Sequence, residues 1–297
     1  MANDQSKAAM NHVTTAKIVV VMLLWALCFP LISAGIEFSP HLSFAALRAA
    51  IAGAALIILA LALRRPLPRS GRDWKVIVFI GLGATSLGFL GMFHAAEFIS
   101  PGVATVIANT QPLLAAFLAA AALGEIVTNR AKVGLILGFL GILVMAIPRL
   151  FSDDNETYLL GVAYILLAAS GITVSNVLIK KIAGKVDVLM TMGFQMLIGS
   201  VPLAAAAWLY ESPSDMTWAP IFTLSLLSLS LVGTALAYYL WFSVLERTPL
   251  NRANAFAFLV PIFGILIGLI FFDEELGWEH FIGIPITIAG VRMVNNQ

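Results

Sequence analysis

The chain is poor in charge. Only 11% of its 297 residues are Asp, Glu, Lys or Arg, where soluble domains carry about 25%. It is also nearly devoid of cysteine. Cys28 stands alone, which excludes an internal disulfide and any multi-cysteine metal site. The four histidines, His12, His41, His94 and His280, are scattered without ligand spacing, so no metal is expected. No Gly-x-x-x-x-Gly-Lys loop is present, which argues against an ATP-driven pump. No Gly-x-Ser-x-Gly elbow is present either, and His94 has no obvious serine partner, which argues against a serine-type intramembrane enzyme. A net charge of +1 without a basic, aromatic-interleaved patch argues against nucleic acid as a partner. The composition therefore points away from enzymes and cofactors.

What the chain has instead is apolar length. It is 60% hydrophobic with a mean hydropathy of +0.96. A helix needs about 20 apolar residues to cross a bilayer core. Ten runs approach that length: 16–36, 42–63, 74–96, 103–123, 133–147, 159–179, 188–210, 218–245, 253–272 and 278–294. None alternates polar with apolar residues, so closed barrels are excluded and the expected fold is an all-α membrane protein of ten transmembrane helices. The first run has no small-residue cleavage site after it and reads as a span, not as a removed signal. With the N-terminus in the cytoplasm, nearly all Lys and Arg outside the spans fall on the inner side, Arg149 excepted. Arg48 falls within a span. The outer loops carry acids such as Glu37, Glu97, Glu211 and Glu274. This positive-inside bias places both termini in the cytoplasm.

A repeat organises the chain. Pro112, Glu125, Gly134 and Gly141 return as Pro261, Glu274, Gly283 and Gly290, each 149 residues later. Ala104 and Ala253, and Ala108 and Ala257, share that offset. Ser100-Pro101 returns as Thr248-Pro249 with a one-residue slip. A period of half the chain signals duplication. Five spans per half is an odd number, so the halves insert in opposite senses: residues 1–150 form one five-helix repeat and 151–297 an inverted second one. The acidic stretch Phe151–Thr157 is the boundary. Inverted repeats are typical of secondary transporters, with the site near the midplane between halves. Channels are built this way too, so the repeat by itself leaves the mode open.

Few polar residues interrupt the runs. Thr105, Asn109 and Pro112 share a face of the fourth, as do Asn254, Phe258 and Pro261 of the ninth. Each proline frees a backbone carbonyl and bends its helix, which either shapes the bundle or opens a cavity. Gln111 and Asn109 beside Pro112 favour the cavity. An ionisable residue inside a membrane is a functional candidate. Arg48 and His94 qualify. For Arg48 the structural reading, a carbonyl partner within the bundle, is preferred over a substrate carboxylate. His94 is either a hydrogen-bonded neutral ring or a substrate contact. Trp25, Tyr238 and Trp241 lie deep in their runs, and such rings suit planar apolar ligands or cations. No carboxylate lies deep in any run, which weakens proton antiport through a buried acid. Trp74, Trp218 and Trp278 sit at run ends as interface anchors.

Taken together, ten spans, two five-span halves and Pro112…Glu125 echoed by Pro261…Glu274 resemble the drug/metabolite transporter superfamily of EamA type. The stretch Phe98-Ile99-Ser100-Pro101-Gly102-Val103-Ala104 is similar to that family's entry into its fourth helix. Within the superfamily the overall likeness is to bacterial YddG-type aromatic amino-acid exporters. The resemblance implies a multi-pass protein of the bacterial inner membrane. It implies export of phenylalanine, tyrosine, tryptophan and related compounds through a central cavity, without a cofactor. The alternative is a multidrug exporter of aromatic cations resembling methyl viologen, proton-coupled or not. On either reading the lining is expected at Trp25, His94, Asn109, Tyr238, Trp241, Asn254 and Phe258, with helix kinks at Pro112 and Pro261.

Overall fold

The computed structural model describes residues 12–95, 97–98, 107–108, 111–150, 158–271 and 277–295. Thr105, Asn109 and Glu274, residues 99–104 and the boundary stretch 151–157 lie outside the described residues. Every regular element among the described residues is helical. In chain order the longer ones are α1 (His12–Ile36), α2 (His41–Ala62), α3 (Gly71–Ala95), α4 (Gln111–Leu123), α5 (Asn129–Leu150), α6 (Tyr158–Ile182), α7 (Val188–Tyr210), α8 (Pro220–Leu245), α9 (250–271) and α10 (Trp278–Asn295), with a 3-10 turn at Pro213–Asp215. Seven of them, α1–α3 and α6–α9, are long and apolar enough to cross a membrane, and α4 is a shorter apolar helix.

The helices carry apolar side chains outward as well as inward. Phe79, Phe117, Leu159 and Ile270 are exposed, while Thr85, Asn176 and Gln195 are buried. That is the distribution expected of a bundle bathed in lipid, where polar groups must find partners inside. Small residues let the helices approach. Gly134 lies against Gly290, and Gly141 against Gly283 and Thr287. As one number rises the other falls, so α5 and α10 run antiparallel with backbones in contact. The same descending order joins α2 to α7. Ser43 meets Glu211, Gly53 meets Gly193, and Arg65 meets Asp187.

The packing is a two-fold pattern. Helix α3 packs on α6 and α7, and α8 packs on α1 and α2. Helix α4 packs on α6, and α9 on α1. The pairs α2/α7, α4/α9 and α5/α10 bridge the two sets. Each contact thus has a counterpart five helices along.

Helix ends are closed in ways that tie elements together. Gly124 (φ 67°) and Gly184 (φ 76°) take the left-handed conformation just past α4 and α6, which a residue without Cβ adopts freely. Helices α2 and α9 begin after Pro40 and Pro249, which have no capping side chain. Their first N–H groups are satisfied from elsewhere. Glu211, following α7, accepts from Leu42 and Ser43 N–H at 2.8 Å each. Glu125, following α4, accepts from Leu250 and Asn251 N–H at 2.7 and 3.1 Å. An anion at a helix N-terminus is favoured by the helix dipole as well.

Candidate functional site

Two helices depart from regular α geometry at matching places. Helix α3 is π-helical over Gly81–Leu87, and α8 over Ser228–Leu236. The two stretches end 149 residues apart. Single turns of π-helix often mark functional sites because they free backbone groups and re-aim side chains. Each stretch is tied sideways by a threonine, and the threonines are also 149 residues apart. Thr85 Oγ1 donates to Gln195 Oε1 at 2.9 Å. Thr234 Oγ1 accepts from Arg48 Nε at 2.8 Å. Gln195 and Arg48 are each the eighth residue of their helix, α7 and α2.

Between the halves lies a cavity that is partly open to solvent. Most of its wall comes in matched pairs. Phe89 faces it from α3 and Tyr238 from α8; Gln111 from α4 and Val260 from α9. Ala108 and Ala257 form a third pair, and all three are separated by 149 residues. Trp25 of α1 and Ile172 of α6 form a fourth, 147 apart, the offset that also relates Arg48 to Gln195. The cavity therefore straddles the pseudo-two-fold axis. Its remaining lining is unmatched: Cys28, Arg48 and Met92. Arg48 is the one charge among the described lining, on a wall that is otherwise neutral and mostly apolar and aromatic, with Gln111 as a further polar side chain.

Arg48 is 3% exposed. Its Nε donates to Thr234, its Nη2 reaches Cys28 Sγ at 3.3 Å, and its Nη1 has no acceptor. The guanidinium carbon lies 4.6 Å from the centre of the Phe89 ring and 5.8 Å from that of Phe93. Ring faces attract a cation by roughly 0.5–2 kcal/mol. Seating an arginine at a membrane midplane costs on the order of 3 kcal/mol or more. Thr234 and Cys28 are neutral, and no described carboxylate forms an ion pair with Arg48.

Of the residues expected at the lining, Trp25 and Tyr238 face the cavity. Their rings meet edge to face with centroids 6.1 Å apart. Trp241 stands behind Trp25, with centroids 5.3 Å apart. Its indole Nε1 donates to Asn176 Oδ1 at 2.9 Å. Asn254 and Phe258 are buried, and neither lines the cavity. Phe258 sits on Gly138 of α5. Ala257 and Val260 of α9 line the cavity, and a 3-10 turn at Phe256–Phe258 lies just ahead of Pro261. Pro112 is the second residue of α4 as described. Asn109 lies outside the described residues.

His94 is gathered elsewhere, at the end of α3. Its Nδ1 lies 2.7 Å from His41 Nε2, and His41 Nδ1 lies 2.6 Å from Glu97 Oε1. Glu211 Oε1 stands 3.7 Å from His41, and Tyr164 packs edge-on against the His94 ring. The spacing of His41 and His94 in the chain carries no ligand pattern; packing of α2 beside α3 alone brings them together. His41 thus bridges His94 and Glu97, an arrangement consistent with Nδ1–H of His41 donating to Glu97 and Nε2 accepting from His94.

The EamA-like transporter family model matches residues 15–147 and again 159–296. A transporter of Bacillus subtilis, YvbV, of uncharacterised activity, is 27% identical over 284 residues, covering 96% of this chain and 92% of that protein. A probable amino-acid metabolite efflux pump of Escherichia coli is 25% identical, covering 92% of this chain and 91% of the pump. A WAT1-related chloroplastic protein of Arabidopsis thaliana is 29% identical; the match covers 84% of this chain and 62% of the plant protein. One solved crystal structure shares the fold with a TM-score of 0.79 and 21% identity, covering 96% of both chains. Members of this family are transporters and not enzymes. The chain is a multi-pass membrane protein that belongs to the EamA-like transporter family.

Proposed function

We propose that the chain is a secondary transporter that exports aromatic amino acids (phenylalanine, tyrosine, tryptophan) and related compounds from the cytoplasm by alternating access through the central cavity. The observation that carries this reading is the wall itself, with aromatic rings at Trp25, Phe89 and Tyr238 and, among the described residues, one cation and no carboxylate. Aromatic walls favour a planar side chain by offset and edge-on stacking. The likeness to a probable amino-acid metabolite efflux pump supports the same substrate class. Ten spans in two inverted halves, with both termini in the cytoplasm of a bacterial inner membrane, accord with the positive-inside bias. They accord also with the antiparallel course of α2 beside α7 and α5 beside α10.

The rival substrate class, aromatic cations such as methyl viologen, is favoured by the same rings and opposed by Arg48, which adds like charge without a neutralising acid. Liposomes loaded with labelled phenylalanine or tryptophan test the assignment. Protein-containing vesicles release the label faster than empty ones on this reading. Equal rates, with methyl viologen released faster, assign the protein to the cation exporters.

A further inference from the structure

The substrate assignment leaves one cavity group unexplained. Arg48 lines the cavity, and its buried Nη1–H groups find no acceptor. Its other contacts are to a neutral hydroxyl and to a sulfur, which is a weak acceptor. Holding the π-helical stretch of α8 does not require a charge. At the matched place in the other half, Gln195 holds Thr85 of α3 through a neutral amide. The difference between the halves is thus a guanidinium where an amide serves the same tether, and only the guanidinium side faces the cavity. A planar fork of N–H donors beside an apolar chamber matches a carboxylate in shape and charge.

We propose that Arg48 is the carboxylate-docking residue of the cavity, Nη1 and Nη2 taking the two oxygens of the substrate. The proposal rests on the exporter reading and narrows it. Trp25, Phe89 and Tyr238 hold the ring while Arg48 holds the acid. No acid on the described wall reads the substrate's amino group. The protein therefore recognises aromatic monocarboxylates as a class, amino acids among them, and arylpropionates or aryl 2-oxo acids equally. Cys28 Sγ, the weaker partner of Nη2, gives way when the carboxylate arrives.

The test compares three ligands that differ by one group. Efflux of labelled phenylalanine from proteoliposomes is measured with internal 3-phenylpropionate, which lacks the amine, or phenethylamine, which lacks the carboxylate. Phenylpropionate is expected to inhibit at concentrations within about tenfold of unlabelled phenylalanine, and phenethylamine not to inhibit. Arg48→Gln is expected to lower efflux at least tenfold and to abolish inhibition by phenylpropionate. Arg48→Lys is expected to retain part of both, because it keeps the charge and loses the fork. Equal inhibition by both analogues in the unaltered protein overturns the docking role. So does an Arg48→Gln protein that exports phenylalanine at the original rate. If phenylalanine is not exported at all, the exporter reading fails, and docking is then decided by binding. Quenching of tryptophan fluorescence by 3-phenylpropionate in detergent, saturable in the unaltered protein and lost in the monodisperse Arg48→Gln protein, supports it. Absence of saturable quenching in the unaltered protein refutes it.

Discussion

Trp241 shows how a residue can matter to the cavity without facing it. It is 1% exposed, bonded to Asn176, and backs the Trp25 ring. Trp241→Phe keeps a ring at the site and removes the donor, leaving the buried Asn176 carbonyl without a partner. Such an orphan costs about 1–3 kcal/mol, so the thermal midpoint of the purified protein in detergent is expected to fall. Asn176→Leu leaves the indole N–H unpaired and is expected to cost a similar amount. The double variant should be less unstable than the sum of the two, since it removes both halves of one bond. Additive losses would mean that the bond contributes nothing. Sequence alone marks Trp241 as a deep aromatic; it does not distinguish the ring that touches a ligand from the one that supports it. That depends on rotation of α8 through its π-helical stretch, which no composition or period announces. Arg48 is the converse case. As a lone charge in an apolar run it is conspicuous, yet its place near a helix end favours a bundle-holding role. Only the cavity, and the neutral Gln195 at the matched position, set off a charge that has no carboxylate partner among the described residues.

At the scale of elements, the α5/α10 seam tests the role of backbone contact. A Cβ added at Gly141 would meet the Gly283 carbonyl and the backbone N of Thr287 at 2.7 Å each. Neither is a flexible side-chain end. Gly141→Ala is expected to push the helices apart and destabilise by about 1–3 kcal/mol. At Gly264 of α9 a Cβ would meet nothing within 4 Å, so Gly264→Ala serves as the comparison and is expected to cause no loss. Similar melting temperatures for the two variants would remove close packing from the account of this seam. The carboxylate at the start of α9 belongs to the same scale. Glu125→Gln keeps the size and one acceptor and loses the charge, with an expected cost of about 0.5–2 kcal/mol. That cost should be read in thermal midpoint and should shrink in Glu125→Asp only if the shorter chain still reaches Leu250. The glycines at 134, 141, 283 and 290 are legible as seams from their spacing. Which seam pairs with which is not, because a repeat offset relates equivalent residues, whereas contact joins Gly134 to Gly290 and Gly141 to Gly283 across the axis.

For the whole molecule, the arrangement of ends makes one further prediction. Arg69 lies between α2 and α3, and Ser214 between α7 and α8. On the proposed inverted arrangement these loops lie on opposite sides. Cys28 is buried, so a single introduced cysteine reports without removing the native one. With a membrane-impermeant thiol reagent on intact cells, Ser214→Cys is expected to label and Arg69→Cys to label only after permeabilisation. Labelling of both from outside would overturn the orientation and, with it, the direction of export.

The amino-acid sequence by itself determined that this chain lives in a membrane, that its spanning structure is helical and that its two halves share a pattern. Backbone hydrogen bonding in lipid admits few solutions, and a duplicated chain keeps its punctuation at Pro, Gly and Glu. Tertiary structure alone decided which faces meet. It set Ala257 and Val260 of α9 on the cavity wall and Phe258 against Gly138 of α5. It drew His41 to His94, and it left Arg48 as the one cation on the described aromatic wall. Those outcomes depend on helix rotation and crossing, which are set by contacts between residues far apart in the chain and leave no local periodic signal to read.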